Sequence, residues 1–445
     1  MMVLTIHKHM NNFDLVIIGG GAAGIMAAIS AKRSNPELSV CIIDRTFALG
    51  RKILVCGAGR CNITNIHLNE EVDSRYYGAS KSFISSIFSQ FGYIDIVHFF
   101  SELGVDVYTE RKTDIGKVFP VTDQAKTITA VLENELNALG IKIFLNTEVT
   151  SIEKADSFNI KTRGVELTDR QKKEYGDSSD DTPKEFSSKY LILSAGGKTY
   201  PALGSNGSGY DLAMKFGHKI IEVVPSALPL VLSKNIFKGI SGLKMDIEVT
   251  SVIGGVEIKK SSDDVMFTDY GLSGPAILNI SREISIELNR TSSKKRKCEI
   301  KLNFFPGKSV EEVKNILNDR WVRRPNLTLT KSLIGIFPNR ICEFLGTYIG
   351  YGDVIVNELN INQKEKVFEV LTSLTVEVSE TRSWNEAEFT AGGIDTNDVK
   401  EQTLESKLIP GLYFAGEILD VDGDVGGFNL SWAWASGFVA GLIKS

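Results

Sequence analysis

Two clusters of residues in this chain have the types and spacing to do chemistry, and the first is Gly19-x-Gly21-x-x-Gly24. It follows the apolar run Leu15–Ile18 and opens a helical pattern, the place where a parallel strand turns into a helix in a dinucleotide-binding unit. There Gly19 permits the tight turn, Gly21 lets backbone N–H groups approach a pyrophosphate at the helix N-terminus, and Gly24 lets the helix pack close to the sheet. Glycines at this spacing are common, so the context decides. Val40–Ile43 read as a second strand and Asp44 ends it, where a carboxylate accepts hydrogen bonds from ribose hydroxyls. The second cluster is the loop Arg45–Asn65, RTFALGRKILVCGAGRCNITN, with Arg51, Lys52 and Arg60 spaced among glycines. Such a loop can wrap anionic phosphate with backbone donors and cations together, although a basic loop is often no more than a solvated surface.

These groups need a scaffold, and composition bounds it. At 445 residues, 42% apolar and 24% charged, the chain suggests two or three globular domains and excludes a disordered or fibrous class. Fifty lysines and arginines against 55 acids leave a net charge of −5, which gives no electrostatic case for nucleic acid or an anionic membrane. Small-molecule chemistry is expected. The first eleven residues lack the apolar core of a signal peptide and no uninterrupted apolar run reaches bilayer-spanning length, so a cytoplasmic protein is expected. Cys41, Cys56, Cys61, Cys298 and Cys342, odd in number and scattered, suit reduced thiols.

Along the chain, Ser82–Leu103 carries Phe83, Ile84, Ile87, Phe88, Phe91, Ile94 and Val97 at helical spacing, a packing face. Thr127–Leu139 repeats the pattern, and Lys142–Leu145 and Val149–Ile152 read as short strands. Thr168–Ser188 is charged and nearly free of aliphatic residues, an exposed hairpin extension. Lys189–Ser194 returns to an apolar strand, and Ala195-Gly196-Gly197 follow where backbone passes close to a ligand. Beyond Pro225, Met245, Ile247 and Val249 alternate up to a Gly254-Gly255 turn, marking a β-rich domain, a small barrel or sandwich. Helical faces follow: Val310, Val313, Ile316, Leu317 and Trp321 after a Ser309 cap, then Leu333–Leu345 and Lys364–Leu371. Leu374–Val378 restores alternation. From Gly411 a strand, a Gly416-Glu417 pair, a glycine-rich loop and a helix form a second strand-to-loop-to-helix unit.

With these motifs in place, GRKILVCGAGRCNITN (50–65), FTDYGLSGP (267–275), AGGID (391–395) and the segment 411–437, the chain resembles a family of bacterial and archaeal NAD(P)/FAD-dependent oxidoreductases. Its members include aminoacetone-oxidase-like enzymes and bile-acid enone reductases. The resemblance implies an α/β fold: a Rossmann-like FAD-binding domain built from both chain ends (1–200 and 385–445), a β-barrel-like domain (201–304 and 372–384) and a small helical domain (305–371). It also implies extended FAD along the chain. Ala22 and Ala23 would lie with the fingerprint glycines and Arg45 with Asp44, while Arg51, Lys52, Gly59, Arg60, Cys61 and Asn62 line the cofactor. Val149, the Ala195–Gly197 turn, Gly416 and Asp420 complete the wall. Glu417 would bind the ribityl chain, and Gly426, Gly427, Phe428, Asn429 and Leu430 would lie against the flavin ring. Two departures concern the fine shape of the site: Cys56 stands where a serine-like residue is usual, and GSNGSGY (204–210) where GSTGDGY is common.

The function expected is hydride transfer through non-covalent FAD to a small organic substrate, with NAD(P)H as a transient donor. An O2-using amine oxidase is the alternative. Cys56 and Cys61 share the C-x4-C spacing of flavin disulfide reductases, but that class also uses a histidine near the chain's end and a second glycine fingerprint. Here His218 is the last histidine and no such fingerprint follows Gly24. Metal binding is not expected, no catalytic base stands out, and oligomeric state is left open. Tyr200, Asp269, Tyr270 and Arg60 are candidates by motif position, each with a packing or loop-fixing role as the competing explanation.

Overall fold

β1 (Met10–Ile18) is buried on both faces over Leu15–Ile18, which is why it reads as an unbroken aliphatic run rather than an alternating one. The structure is a computed structural model and describes residues 10–443 except 71, 111–115, 170–171 and 174–183. α1 (Ala22–Ser34) follows β1 and leads to β2 (Val40–Ile43), which pairs with β1 in parallel. On its other side β1 pairs in parallel with Glu185–Leu193, and the seven-stranded sheet runs 142–144, β2, β1, 185–193, 158–164, 147–154. Leu412–Phe414 joins it beside Leu191–Leu193. A strand from near the chain's end thus joins the sheet that β1 starts. The closing helix, Phe428–Gly441, lies directly on α1: a Cβ on Gly437 would stand 2.4 Å from Ala23 O, and one on Gly441 2.4 Å from Ala27 O. Ser30 Oγ donates to Phe438 O at 2.7 Å across the same contact.

The chain divides into two units, Met1–Val223 with Phe389–Ser445, and Val224–Glu388. Residues 201–223, expected with the β-rich domain, belong with the first unit, because Ile220–Ser226 pairs with Phe389–Ile394. Residues 385–388 go with the second. In that unit a closed six-stranded barrel runs 230–232, 271–273, 256–267, 244–253, 298–303, 374–381. Gly254 and Gly255, both at positive φ, make the hairpin turn between its two longest strands. Val310–Arg323 carries a full capping box, Ser309 with Glu312, and buries Val313, Leu317 and Trp321, while Val310 and Ile316 remain exposed. The helical segment and the barrel share one hydrophobic core.

Several boundaries moved. The apolar stretch Lys81–Glu102 is the one candidate for a membrane span among the described residues. It folds as two helices, Lys81–Phe88 and Tyr93–Glu102, broken where Asp95 caps Gly92 N–H at 2.8 Å, and Ile94 faces outward. The single helix expected over 333–345 is likewise two, Leu329–Leu333 and Asn339–Ile349, with Pro338 at the second start. The strand expected from Lys189 begins at Glu185, and most of the polar stretch before it lies outside the described residues.

Candidate functional site

At the β1-to-α1 turn the three glycines do different work. Gly19 sits at φ +104, and a Cβ there would meet Ser194 O at 2.5 Å, so both conformation and crowding demand glycine. A Cβ on Gly24 would stand 1.9 Å from Gly19 O, so this glycine lets the helix fold back over the turn itself. Gly21 is ordinary extended backbone at φ −79, ψ −172, and a Cβ on it would meet nothing within 4 Å. The protein has no use for that space. It is where a ligand can reach the unpaired N–H groups of the first helical turn.

Asp44 ends β2 facing this turn. Its Oδ2 accepts from Gly20 N–H at 2.6 Å, and its Oδ1 accepts from Thr46 N–H and the Thr46 hydroxyl, both at 2.7 Å. Burial pushes the carboxyl up from its ordinary value, while these donors and Arg51 oppose the shift. Oδ1 is filled by its two Thr46 donors, while Oδ2 keeps a further lone pair for a ribose hydroxyl. A cavity opens here, bringing together Gly19, Gly21, Asp44, Arg45, Arg51, Lys52, Val149, Ala195 and Gly196. Thr46, Glu148 and Ser205 line it as well and were not anticipated. Ser205 Oγ is buried with no partner among the described residues, a donor left for a bound group. Arg51 Nη1 donates to Ala202 O at 3.0 Å, tying the basic loop to the segment that carries Ser205.

Further along, Glu417 is a hub. Its Oε2 meets Lys52 Nζ at 2.6 Å, and its Oε1 accepts from Thr390 N–H at 2.9 Å and the Thr199 hydroxyl at 3.2 Å. Lys52 Nζ also reaches Thr199 Oγ1 at 2.9 Å. A Cβ on Gly197 would stand 2.6 Å from Glu417 Oε1, so the 195–197 strand end and the Gly416-Glu417 pair meet as one wall. The residues that resemblance set against a flavin ring form a third patch. Gly426 and Gly427 are at φ +124 and +101, Asn65 Nδ2 donates to Gly426 O at 2.8 Å, and Tyr76 OH donates to Phe428 O at 2.6 Å. Asn429 does not point away from its own loop: Oδ1 accepts from Gly423 N–H at 2.9 Å, and Nδ2 donates to Gly423 O and Asp424 O at 2.7 and 3.2 Å. The buried Asp424 carboxylate holds Arg75 Nη1 at 3.2 Å and Tyr77 OH at 3.0 Å. Asp420 Oδ1 accepts from Gly392 N–H at 3.1 Å.

Gly59, Arg60, Cys61 and Asn62 do not line the cavity beside Asp44. Arg60 pairs with Glu110 at 3.0 Å and lies 4.0 Å over the Phe119 ring. Cys61 is fully buried, and burial pushes its thiol well above the ordinary range, the opposite of the thiolate a flavin disulfide reductase needs. His218, also buried, meets Ser406 Oγ at 2.8 Å through Nε2. Tyr200 occupies a left-handed turn at φ +54, and Tyr270, in the other unit, lies under Arg382. Among the described residues no His, Cys, Asp and Glu group is arranged to hold a metal ion. The open face of Gly21, the Asp44 carboxylate and the unpartnered Ser205 hydroxyl fit the adenosine diphosphate half of FAD, and Glu417, Thr199 and Lys52 fit a polyol.

Residues 13–443 match the family described as HI0933-like protein Rossmann domain. The chain belongs to that family. It is an FAD-dependent oxidoreductase by class. It is 33% identical to 3-dehydro-bile acid delta(4,6)-reductase of Clostridium scindens, over 96% of this chain and 97% of that one. It is 30% identical to the ribosomal RNA dihydrouridine synthase of Escherichia coli, over 96% of each. Among solved structures, 3-ketosteroid delta1-dehydrogenase from Sterolibacterium denitrificans aligns with a TM-score of 0.50 at 11% identity, covering 97% of this chain and 99% of that one, which shows a shared fold.

Proposed function

We propose that this protein reduces a carbon–carbon double bond conjugated to a carbonyl in a small organic substrate, with NAD(P)H as electron donor. The observation that carries this is the full-length similarity to two proteins whose names both describe saturation of such a bond, one in a bile acid and one in uridine. Bound FAD supplies two-electron hydride chemistry. The chain's own residues supply position and charge. Asp44 and the Gly19–Gly21 turn hold the adenosine diphosphate, with Arg51 countering its charge, and Lys52, Thr199 and Glu417 orient the polyol. The Gly423–Gly427 loop, fixed by Asn429, Asp424 and Asn65, presents the unpaired N–H groups of the closing helix towards the reducible ring.

A second substrate class, a uridine within RNA, is favoured by the Escherichia coli relative alone. The net charge of −5 favours the small molecule, because phosphate contacts dominate RNA affinity. Anaerobic stopped-flow mixing tests both. NADH or NADPH bleaches the flavin, and a 3-oxo-Δ4 steroid acid, a uridine-containing RNA or O2 is then offered for reoxidation. Fast reoxidation by the enone supports the proposal, by RNA replaces it with the second class, and by O2 alone replaces it with an oxidase.

A further inference from the structure

The segment Cys56-Gly57-Ala58-Gly59-Arg60-Cys61 is wound unusually tightly. Gly57, Ala58, Gly59 and Cys61 are all left-handed, at φ +56, +57, +83 and +65, and two of these four residues carry a Cβ. Side chains rarely adopt this conformation, and where they do the surroundings hold them in it. Arg60 N–H to Gly57 O at 3.2 Å holds the turn, and Cys61 N–H to Cys56 O at 3.0 Å joins the two cysteines. A Cα lies about 2.4 Å from its own carbonyl oxygen and about 1.5 Å from its own nitrogen, so this bond keeps the two Cα atoms within about 6.9 Å even if every atom were collinear. Any bend brings them into the roughly 4.4–6.8 Å window of a disulfide. Cys56 is half-buried and open to a small oxidant, whereas Cys61 is sealed. The other three cysteines are buried as well.

We propose that Cys56 and Cys61 form a reversible disulfide that switches the enzyme off, with a hydroperoxide as oxidant. The Cys56 sulfur attacks one peroxide oxygen, the O–O bond breaks, and water or an alcohol leaves, converting the thiol to a sulfenic acid. The Cys61 sulfur then attacks the Cys56 sulfur, the S–O bond breaks, and the hydroxyl leaves as water with the Cys61 proton. Two thiols lose two electrons and two protons, and the peroxide is reduced by the same two electrons. Buried Cys61 cannot be oxidised first, so the order is fixed. Asn62 follows Cys61, and its Oδ1 lies 3.0 Å from where a Cβ on Gly427 would stand, so a shift at Cys61 on closing the link reaches the loop that the resemblance sets against the flavin ring. That last step rests on the FAD reading above; the linkage itself does not.

The test treats the purified flavoprotein with hydrogen peroxide, then denatures and alkylates it. Five thiols should fall to three, and dithiothreitol should restore five together with turnover. Trypsin cuts after Lys52 and Arg60, so the link appears as peptide Ile53–Arg60 joined to the one that begins at Cys61. Cys56→Ser should keep its four thiols and its turnover through the same treatment, and Cys61→Ser should leave a sulfenic acid on Cys56 that dimedone traps. Five thiols surviving peroxide, or Cys56 passing to sulfinic acid while Cys61 stays reduced, would overturn the linkage. A complete link with unchanged turnover would overturn the switch, and neither result touches the flavin assignment.

Discussion

Gly21→Val separates ligand binding from folding more cleanly than any other change in the site. At φ −79, ψ −172 the backbone accepts a β-branched residue, and the new Cβ meets no heavy atom within 4 Å. The cost to the empty protein is confined to a poorer helix N-cap, about 1 kcal/mol, and is partly offset by a less flexible unfolded chain, roughly 0.4–1 kcal/mol. The valine methyls project into the volume where a pyrophosphate must approach the helix N-terminus. Losing about two hydrogen bonds to a charged group, each roughly 1.5–3 kcal/mol, weakens FAD by about 3–6 kcal/mol, a factor of roughly 10²–10⁴. The assay is flavin per chain after desalting, followed by titration of the apoprotein with FAD and thermal unfolding without it. The variant should purify colourless with an apoprotein Tm within a few degrees of wild type. Gly19→Val and Gly24→Val are the controls: their Cβ atoms collide with Ser194 O at 2.5 Å and Gly19 O at 1.9 Å, so both should lose stability with or without FAD. Full flavin content and an unchanged Kd in Gly21→Val would refute the placement of the pyrophosphate.

Lys52→Met removes the cation from Glu417; since the pair is 29% and 20% exposed, it should cost only about 1 kcal/mol of stability, yet weaken FAD roughly tenfold in an apoprotein titration. Asn429→Asp sets a carboxylate against Gly423 O and Asp424 O at the start of the closing helix, so it should lower both the Tm and the flavin midpoint, the latter by roughly 10–40 mV in a spectroelectrochemical titration. An unchanged or raised midpoint in the fully loaded variant would show that this helix end does not face the ring. In the barrel unit, hydrogen bonds from Arg296 push Glu287 down to about 2. A carboxylate lowered on folding stabilises above its unfolded value near 4.5 and stops doing so as the pH falls to about 2, so the Tm gap between wild type and Glu287→Gln should close across that window.

What the sequence made legible is the part of the site where backbone itself binds. Glycine is the residue that records such a requirement, so Gly19, Gly24 and the 195–197 turn are legible in the sequence, as is the acid at the end of β2. The breaks at 89–92 and 334–338 were legible in principle, through Gly92 with Asp95 and through Pro338, but the apolar spacing runs across both and hides them. The boundary near Val223 was not, because Ile220–Ser226 finds its partner in Phe389–Ile394, and a strand that pairs across so long an insertion leaves no local trace. The same holds for the residues that fix the loop which the resemblance sets against the flavin ring. Tyr76–Gly78 and Val421–Gly423 are three residues each, too short to show a period, and the Arg75–Asp424 contact joins positions 349 apart. Motif spacing therefore finds the groups that would touch the cofactor and misses those that hold them still. Asn429 shows the consequence: by motif it is set against the ring, and its three hydrogen bonds go to Gly423 and Asp424 of its own loop, so its amide would serve a bound flavin by holding that backbone in place.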